Sequence, residues 1–201
     1  MPRSALIIVD VQNDFIDGTL ALRQCPAGED GKEVVPAINQ LLTTQTFDQI
    51  VYTMDAHPPD HVSFKEWPAH CIAGTKGQKL HSELIVDPQL DPKWIIKKGT
   101  DQNVDSYSAF WDNEHTKQTD LQENLQKINI DTVFIVGLAF DICVYFTALD
   151  AAGAGFNTYI IKDCCRSTQP AESEELKEKM IKLEKVGVHL IDSTQVPKLL
   201  S

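Results

Sequence analysis

Ala5-Leu6-Ile7-Ile8-Val9-Asp10 is a continuous apolar, β-branched run closed by a carboxylate. Such a run reads as a strand buried on both faces, which is the mark of a parallel sheet. Five similar runs follow, at Ile50 to Met54, Trp94 to Lys97, Thr132 to Gly137, Thr158 to Ile161 and Val188 to Ile191. Helical spacing lies between them. Glu33 to Thr44 places Val34, Val35, Ile38, Leu41 and Leu42 on one side, and Gln122 to Ile128 forms a short helix. Ile142 to Ala152 is stopped by Gly153 and Gly155. Ser173 to Val186 turns Leu176, Met180, Leu183 and Val186 inward. Strands alternating with helices imply βαβ units with right-handed crossovers. The expected fold is α/β, a three-layer α/β/α arrangement around a six-stranded, mostly parallel sheet of Rossmann-like type, as a single domain over residues 1–201.

Composition narrows the function classes. The chain has 201 residues, 42% hydrophobic and 23% charged, with a formal net charge of -11. Phosphate backbones and anionic lipid surfaces repel such a chain, so neither a nucleic-acid nor a membrane partner is expected. The longest apolar stretches are far shorter than a membrane span. Met1-Pro2-Arg3-Ser4 leads straight into the first strand, which leaves no room for a signal peptide. Five cysteines without a short-spaced, even framework fit reduced thiols in the cytoplasm.

In a parallel sheet all strand C-termini lie on one edge, and ligands bind there. The run at residues 5–9 ends in Asp10, and the second strand ends in Asp55-Ala56-His57-Pro58-Pro59. The third ends in Lys97-Lys98-Gly99, and the fourth leads through Gly137-Leu138-Ala139-Phe140-Asp141 to Cys143 at a helix start. These residues converge by topology alone. A helix N-terminus favours thiolate over thiol, and its amides suit an oxyanion. Cys143 then reads as a nucleophile, Asp10 as the base that takes its proton, and Lys98 as the cation holding both. Taken singly, each has a plainer reading: core filler, strand-end cap and solvated lysine.

Asp55, His57 and His70 offer carboxylate and imidazole from one long irregular segment, Asp55 to Pro92. Those groups ligate zinc, iron(II) or manganese. His61 is a possible fourth ligand or a surface histidine. Phe15, Trp67 and Tyr107 are aromatic residues near the same edge and form a slot for a planar ring, or else serve as rim and core aromatics. His81, His115 and His189 read as ordinary surface or core histidines.

Several motifs carry a resemblance. They are Asp10-Val11-Gln12-Asn13-Asp14-Phe15, Asp55-x-His57-Pro58 with His61-x-Ser63-Phe64, and Trp67-Pro68-x-His70-Cys71. Lys98-Gly99-Thr100 with Asp105-Ser106-Tyr107-Ser108-Ala109-Phe110, and Gly137-Leu138-Ala139-x-Asp141-x-Cys143-Val144, continue the series. In this order the chain resembles the nicotinamidases (pyrazinamidases) of the isochorismatase-like cysteine hydrolase superfamily over nearly its whole length. The resemblance implies an isochorismatase-like fold and hydrolysis of nicotinamide to nicotinate and ammonia, a step of NAD salvage. It implies a catalytic triad of Asp10, Lys98 and Cys143, and metal ligands Asp55, His57 and His70, with His61 a ligand in some members. A cis peptide at Leu138–Ala139 would direct the Ala139 amide, with that of Cys143, toward an oxyanion. Phe15, Trp67, Tyr107 and Leu138 would contact the substrate, which is nicotinamide or pyrazinamide. The implied cofactor is a divalent transition metal, zinc first, with iron or manganese as alternatives. The implied setting is a cytoplasmic homo-oligomer, with the nucleus also open in a eukaryote. Ala56 and Phe140 depart from the family, standing where Trp or Phe, and Thr, are frequent. Among rivals, an N-carbamoylsarcosine-type amidase would lack the metal cluster and an isochorismatase would not need Cys143. A non-catalytic relative would not need the polar edge.

Overall fold

The computed structural model describes residues 3–200. Met1, Pro2 and Ser201, the ends of the domain read over 1–201, lie outside the described residues. The apolar run forms β1 (Ser4–Val9), buried along its full length. Side chains alternate across a strand, and here both alternating sets find a core. Ala5, Ile7 and Val9 pack on one side with Phe110, Leu125, Val144 and Ala148. Leu6 and Ile8 pack on the other with Val34, Ile38, Phe134 and Val136.

The remaining strands are β2 (Gln49–Asp55), β3 (Ile95–Lys98), β4 (Thr132–Leu138), β5 (Asn157–Arg166) and β6 (His189–Ile191). Their order is β3-β2-β1-β4-β5-β6, and every pairing is parallel. The helices are α1 (Asn13–Ile16), α2 (Val34–Thr44), α3 (Leu121–Lys127), α4 (Tyr145–Gly153), α5 (Glu174–Lys185) and α6 (Val196–Leu200). α3, α4 and α5 bury their apolar residues in the first core, and α1, α2 and α6 in the second. Chain order reverses between β1 and β4, so the switch point opens at the C-terminal ends of these two strands.

Several boundaries differ from the sequence expectation for local reasons. Trp94 closes a short 3₁₀ turn capped by Asp91 rather than opening β3. β5 runs on to Arg166 through the polar Lys162-Asp163, where its register against β4 shifts before pairing resumes at Gly137 with Cys165. Val186 falls just past α5 and is exposed, not inward; Ser173 caps that helix by accepting the Leu176 N–H. The helix after β4 begins at Tyr145, not Ile142. Phe140–Val144 forms a wider turn, in which Val144 N–H donates to the Ala139 carbonyl five residues back. α1 and α6 are too short to leave a periodic pattern.

Gly137 has a φ of +114°, and a side chain there would run into the Val9 backbone. Only glycine lets β4 lie this close to β1 where both approach the switch point. Gly137→Ala is therefore expected to lose about 2 kcal/mol or more, from φ strain and overpacking together. Urea unfolding followed by circular dichroism checks it.

Candidate active site

The end of β1 supplies the first group. Asp10 has a φ of +49°, which turns the chain out of the sheet and leaves its carboxylate fully buried at the switch point. Thr53 on β2 holds it from both sides: its hydroxyl donates to Asp10 Oδ1 at 2.5 Å and accepts the Asp10 N–H at 3.2 Å. Lys98, the last residue of β3, is itself buried. Its Nζ lies 2.8 Å from Asp10 Oδ2, 2.6 Å from Asp55 Oδ1, 3.0 Å from the Ser106 carbonyl and 3.5 Å from Cys143 Sγ. One ammonium thus ties the ends of three strands to the turn after β4.

Charge is distributed unevenly in this cluster. Burial alone would lower the Lys98 pKa, but Asp10 and Asp55 outweigh it and hold the ammonium charged well above its ordinary range. Burial pushes both carboxyls up as well. At Asp55 the pull of Lys98 and His57 wins, and it stays ionised below the usual carboxylate range. At Asp10 burial wins, helped by the charge of Asp55, so its proton affinity is raised. Two neighbouring carboxylates with opposite shifts are the pattern of one fixed anion and one proton acceptor.

Burial, reinforced by Asp10 and Asp55, also raises the Cys143 thiol well above its ordinary value against the pull of Lys98. This corrects the expectation of a thiolate favoured by a helix N-terminus. The residue lies in the wide turn before α4, where burial, with Asp10 and Asp55, raises its affinity for a proton. Asp10 Oδ2 accepts no directed hydrogen bond beside its ion pair with Lys98. Potential ligand atoms of Asp10, Asp55 and Cys143 lie within 4.8 Å of one another. A lone pair is therefore available for the thiol proton.

Asp55, His57 and His70 also bring potential ligand atoms within 4.8 Å of one another. Each histidine is oriented through its Nδ1. His57 Nδ1 lies 2.8 Å from the Gly99 carbonyl and His70 Nδ1 2.7 Å from the Pro68 carbonyl, so each donates and leaves a lone pair on Nε2. Gly99 has a φ of +60°, and a side chain there would strike the His57 ring. His61 Nδ1 sits 2.7 Å from Ser63 Oγ, while its buried Nε2 has no hydrogen-bond partner. The His61 ring stacks on His57 with centroids 4.0 Å apart, and His70 meets His57 edge-on at 4.9 Å. One carboxylate and two imidazole lone pairs fit a divalent transition metal, while the orphaned His61 nitrogen groups with His57 and Asp105 rather than with Asp55 and His70.

The pocket above these groups is walled by Phe15, Trp67, Tyr107, Ala139, Ile142 and Cys143, with Asp55, His57 and His70 reaching its surface. Trp67 Nε1 donates to Tyr107 OH over a long 3.5 Å. Leu138 is not part of this wall. It is fully buried in the core on the α2 side, and the Leu138–Ala139 peptide is cis.

Several residues here had no role in the sequence reading. Asp105 lies 4.0 Å from His61 Nε2 and lines the pocket. Phe64 covers the three histidine rings, with centroids 5.7 to 5.8 Å away. Thr168, which bonds the buried Asp141 through both its N–H and its hydroxyl, forms part of the wall with Leu22 and Cys25. Their signals were weak, because each meets the site through a loop rather than a strand end. Asp105 and Phe64 did lie inside quoted motifs.

A wholly parallel sheet with a cysteine, a lysine and two carboxylates at its switch point defines an enzyme equipped for hydrolysis through a cysteine nucleophile. The Isochorismatase domain model matches residues 4–195. The nicotinamidase of Acinetobacter baylyi is 43% identical over 185 residues, 81% of each chain. Among solved structures, PnC1 from L. infantum in complex with nicotinate has a TM-score of 0.84 and 32% identity, covering 96% of this chain and 93% of that one. The pyrazinamidase of Pyrococcus horikoshii in complex with zinc has a TM-score of 0.76 and 30% identity, covering 95% and 99%. The chain belongs to the isochorismatase-domain family, on its nicotinamidase side.

Removing the shared cation would leave two buried carboxylates unpaired. Lys98→Met is expected to destabilise the metal-free protein by roughly 3–5 kcal/mol near neutral pH. The stability that Lys98 lends through the depressed Asp55 pKa is present above the ordinary carboxylate range and lost as pH falls below it. The gap between variant and wild type should therefore narrow in acid, as chemical denaturation across a pH series would show.

Proposed function

We propose that this chain hydrolyses nicotinamide to nicotinate and ammonia, with Cys143 as nucleophile, Asp10 as proton carrier and Lys98 as the cation that holds them. The observation that carries this reading is the buried Lys98 ammonium, paired with Asp10 and Asp55 and 3.5 Å from Cys143 Sγ beside an aromatic-walled pocket. It is supported by relatives named nicotinamidase and by the nicotinate held in the L. infantum structure.

The steps follow from the groups present. Asp10 takes the Cys143 thiol proton as sulfur attacks the amide carbon, so the thiolate forms only as it is consumed. The Ala139 and Cys143 amides are the proposed donors to the tetrahedral oxyanion. Asp10 returns its proton to the amide nitrogen, the C–N bond breaks and ammonia leaves a thioester on Cys143. Asp10 then deprotonates a water that attacks the thioester, and the proton goes back to sulfur as nicotinic acid departs and ionises to nicotinate in water. Lys98 stays charged throughout.

Phe15, Trp67 and Tyr107 are the proposed walls for the pyridine ring. Asp55, His57 and His70 are the proposed holders of a divalent metal, with His61 an optional fourth. Zinc is the first choice because the Pyrococcus relative holds it. Such an ion supplies a Lewis-acidic point at the pocket surface for a ring nitrogen or a water. Five free cysteines fit the cytoplasm, and no helix among the described residues is long and apolar enough to cross a membrane. The homo-oligomer belongs to the same proposal.

Ammonia release from nicotinamide, pyrazinamide and benzamide tests the reading on metal-loaded enzyme. Aromatic walls treat the three rings alike, whereas a polar contact to the ring nitrogen discriminates strongly. Nicotinamide and pyrazinamide should exceed benzamide in kcat/KM by about 100-fold or more, and Cys143→Ala should abolish turnover with its fold retained. Equal values for nicotinamide and benzamide would remove the ring-nitrogen contact. No ammonia from any of them would overturn the function.

A further inference from the structure

The chain leaves β1 at Asp10, and the β1–β2 ladder ends where Ile8 lies beside Tyr52. β2 nevertheless continues to Asp55. The backbone of Asp55 on the β1 side therefore has no strand partner. Gln12 takes the strand's place with its side chain. Its Oε1 accepts the Asp55 N–H at 2.9 Å, and its Nε2 donates to the Asp55 carbonyl at 2.9 Å. The second Nε2 hydrogen goes to the Gln78 carbonyl at 2.6 Å, in the segment that follows His70. Gln12 is fully buried, and both ends of its amide are engaged.

Two residues further on, Asp14 treats His70 in a similar way. Its Oδ2 accepts the N–H of Cys71, next to His70, at 2.7 Å, and its Oδ1 accepts the Thr19 N–H at 3.2 Å. Gly18 and Gly77 leave room for it, since a side chain at either would overlap the carboxylate. Neither Gln12 nor Asp14 is among the walls of the pocket. Both grip backbone at or beside a proposed ligand.

We propose that Gln12, seconded by Asp14, is the positioning residue of the metal site: it replaces the missing strand beside Asp55 and fixes Asp55 and His70 so that both can close on one divalent ion. This rests on reading Asp55, His57 and His70 as the ligands. Asp55 also holds Lys98 through its other oxygen, so a freely turning Asp55 would serve neither partner. Groups behind metal ligands typically account for 10–100-fold in metal affinity.

The test is Zn²⁺ affinity of the metal-stripped full chain, measured by competition with a chromophoric chelator, with melting temperatures of the metal-free proteins alongside. Gln12→Glu keeps the shape and the acceptor for the Asp55 N–H but removes both donated hydrogen bonds. Its added negative charge would by itself attract a cation, so weaker binding isolates geometry. The expected result is about 10–100-fold weaker Zn²⁺ binding. Ile38→Val, a core change behind α2, should lower the melting temperature without altering affinity. Gln12→Met, which removes the whole amide without changing the charge, decides by the same criterion should Gln12→Glu fail to fold. Wild-type affinity in the substituted protein would overturn the positioning role. So would an equal loss in Ile38→Val, since the effect would then be one of general stability. Wild-type protein that takes up no Zn²⁺ would instead overturn the metal reading itself, and the positioning role with it.

Discussion

A buried ammonium between two buried carboxylates is the interaction on which the rest of this structure depends. Lys98 cannot stay charged at that depth alone, and neither can Asp10 or Asp55. Pairing resolves all three at once, but only if the ends of β1, β2 and β3 arrive side by side. Parallel pairing ensures this, because it brings every strand's C-terminus to the same edge. The reversal of chain order between β1 and β4 then opens a crevice next to Asp10, into which the turn bearing Cys143 descends. Replacing such a triad with apolar groups often costs a fold little, so its presence points to chemistry more than to stability.

The two carboxylates divide the work through their surroundings. Asp55 faces Lys98 with one oxygen and the histidine cluster with the other, and it keeps its charge. Asp10 faces Thr53, Lys98 and the thiol, and burial raises its affinity for a proton. In the proposed mechanism the thiol keeps its proton at rest and becomes nucleophilic only as Asp10 receives it. Asp55 is the hinge between the two halves, which gives Gln12 its interest as the group that holds the Asp55 backbone.

Much of this was legible in the residues. Continuous apolar runs such as Ala5 to Val9 marked strands buried on both faces, and alternation with helices placed Asp10, Asp55, Lys98 and Cys143 on one edge. The features that stayed hidden were those no period encodes. The polar Lys162 and Asp163 concealed the length of β5, because they occupy an irregularity in its pairing with β4, beyond which Cys165 and Arg166 rejoin the ladder. The wide turn at Phe140–Val144 looked like the start of α4, since its apolar residues suit either. Leu138 sits in a quoted motif, yet its side chain turns into the core while its peptide borders the pocket. The direction of the thiol's shift depends on burial first and then on Lys98, Asp10 and Asp55, and no single residue announces that balance. Gln12 and Asp105 stood in plain view within motifs, but their partners are backbone or distant loops.

In the proposed reaction Cys143 becomes acylated under the control of Asp10 and Lys98. Acid-quenched mass spectrometry during turnover of nicotinamide, followed by peptide mapping, tests this most directly. The expected result is a nicotinoyl group on Cys143 and on none of Cys25, Cys71, Cys164 or Cys165, and no such adduct in Asp10→Asn, where the proton acceptor is gone. Acylation of Cys25 instead, or an undiminished adduct on Cys143 in Asp10→Asn, would contradict it.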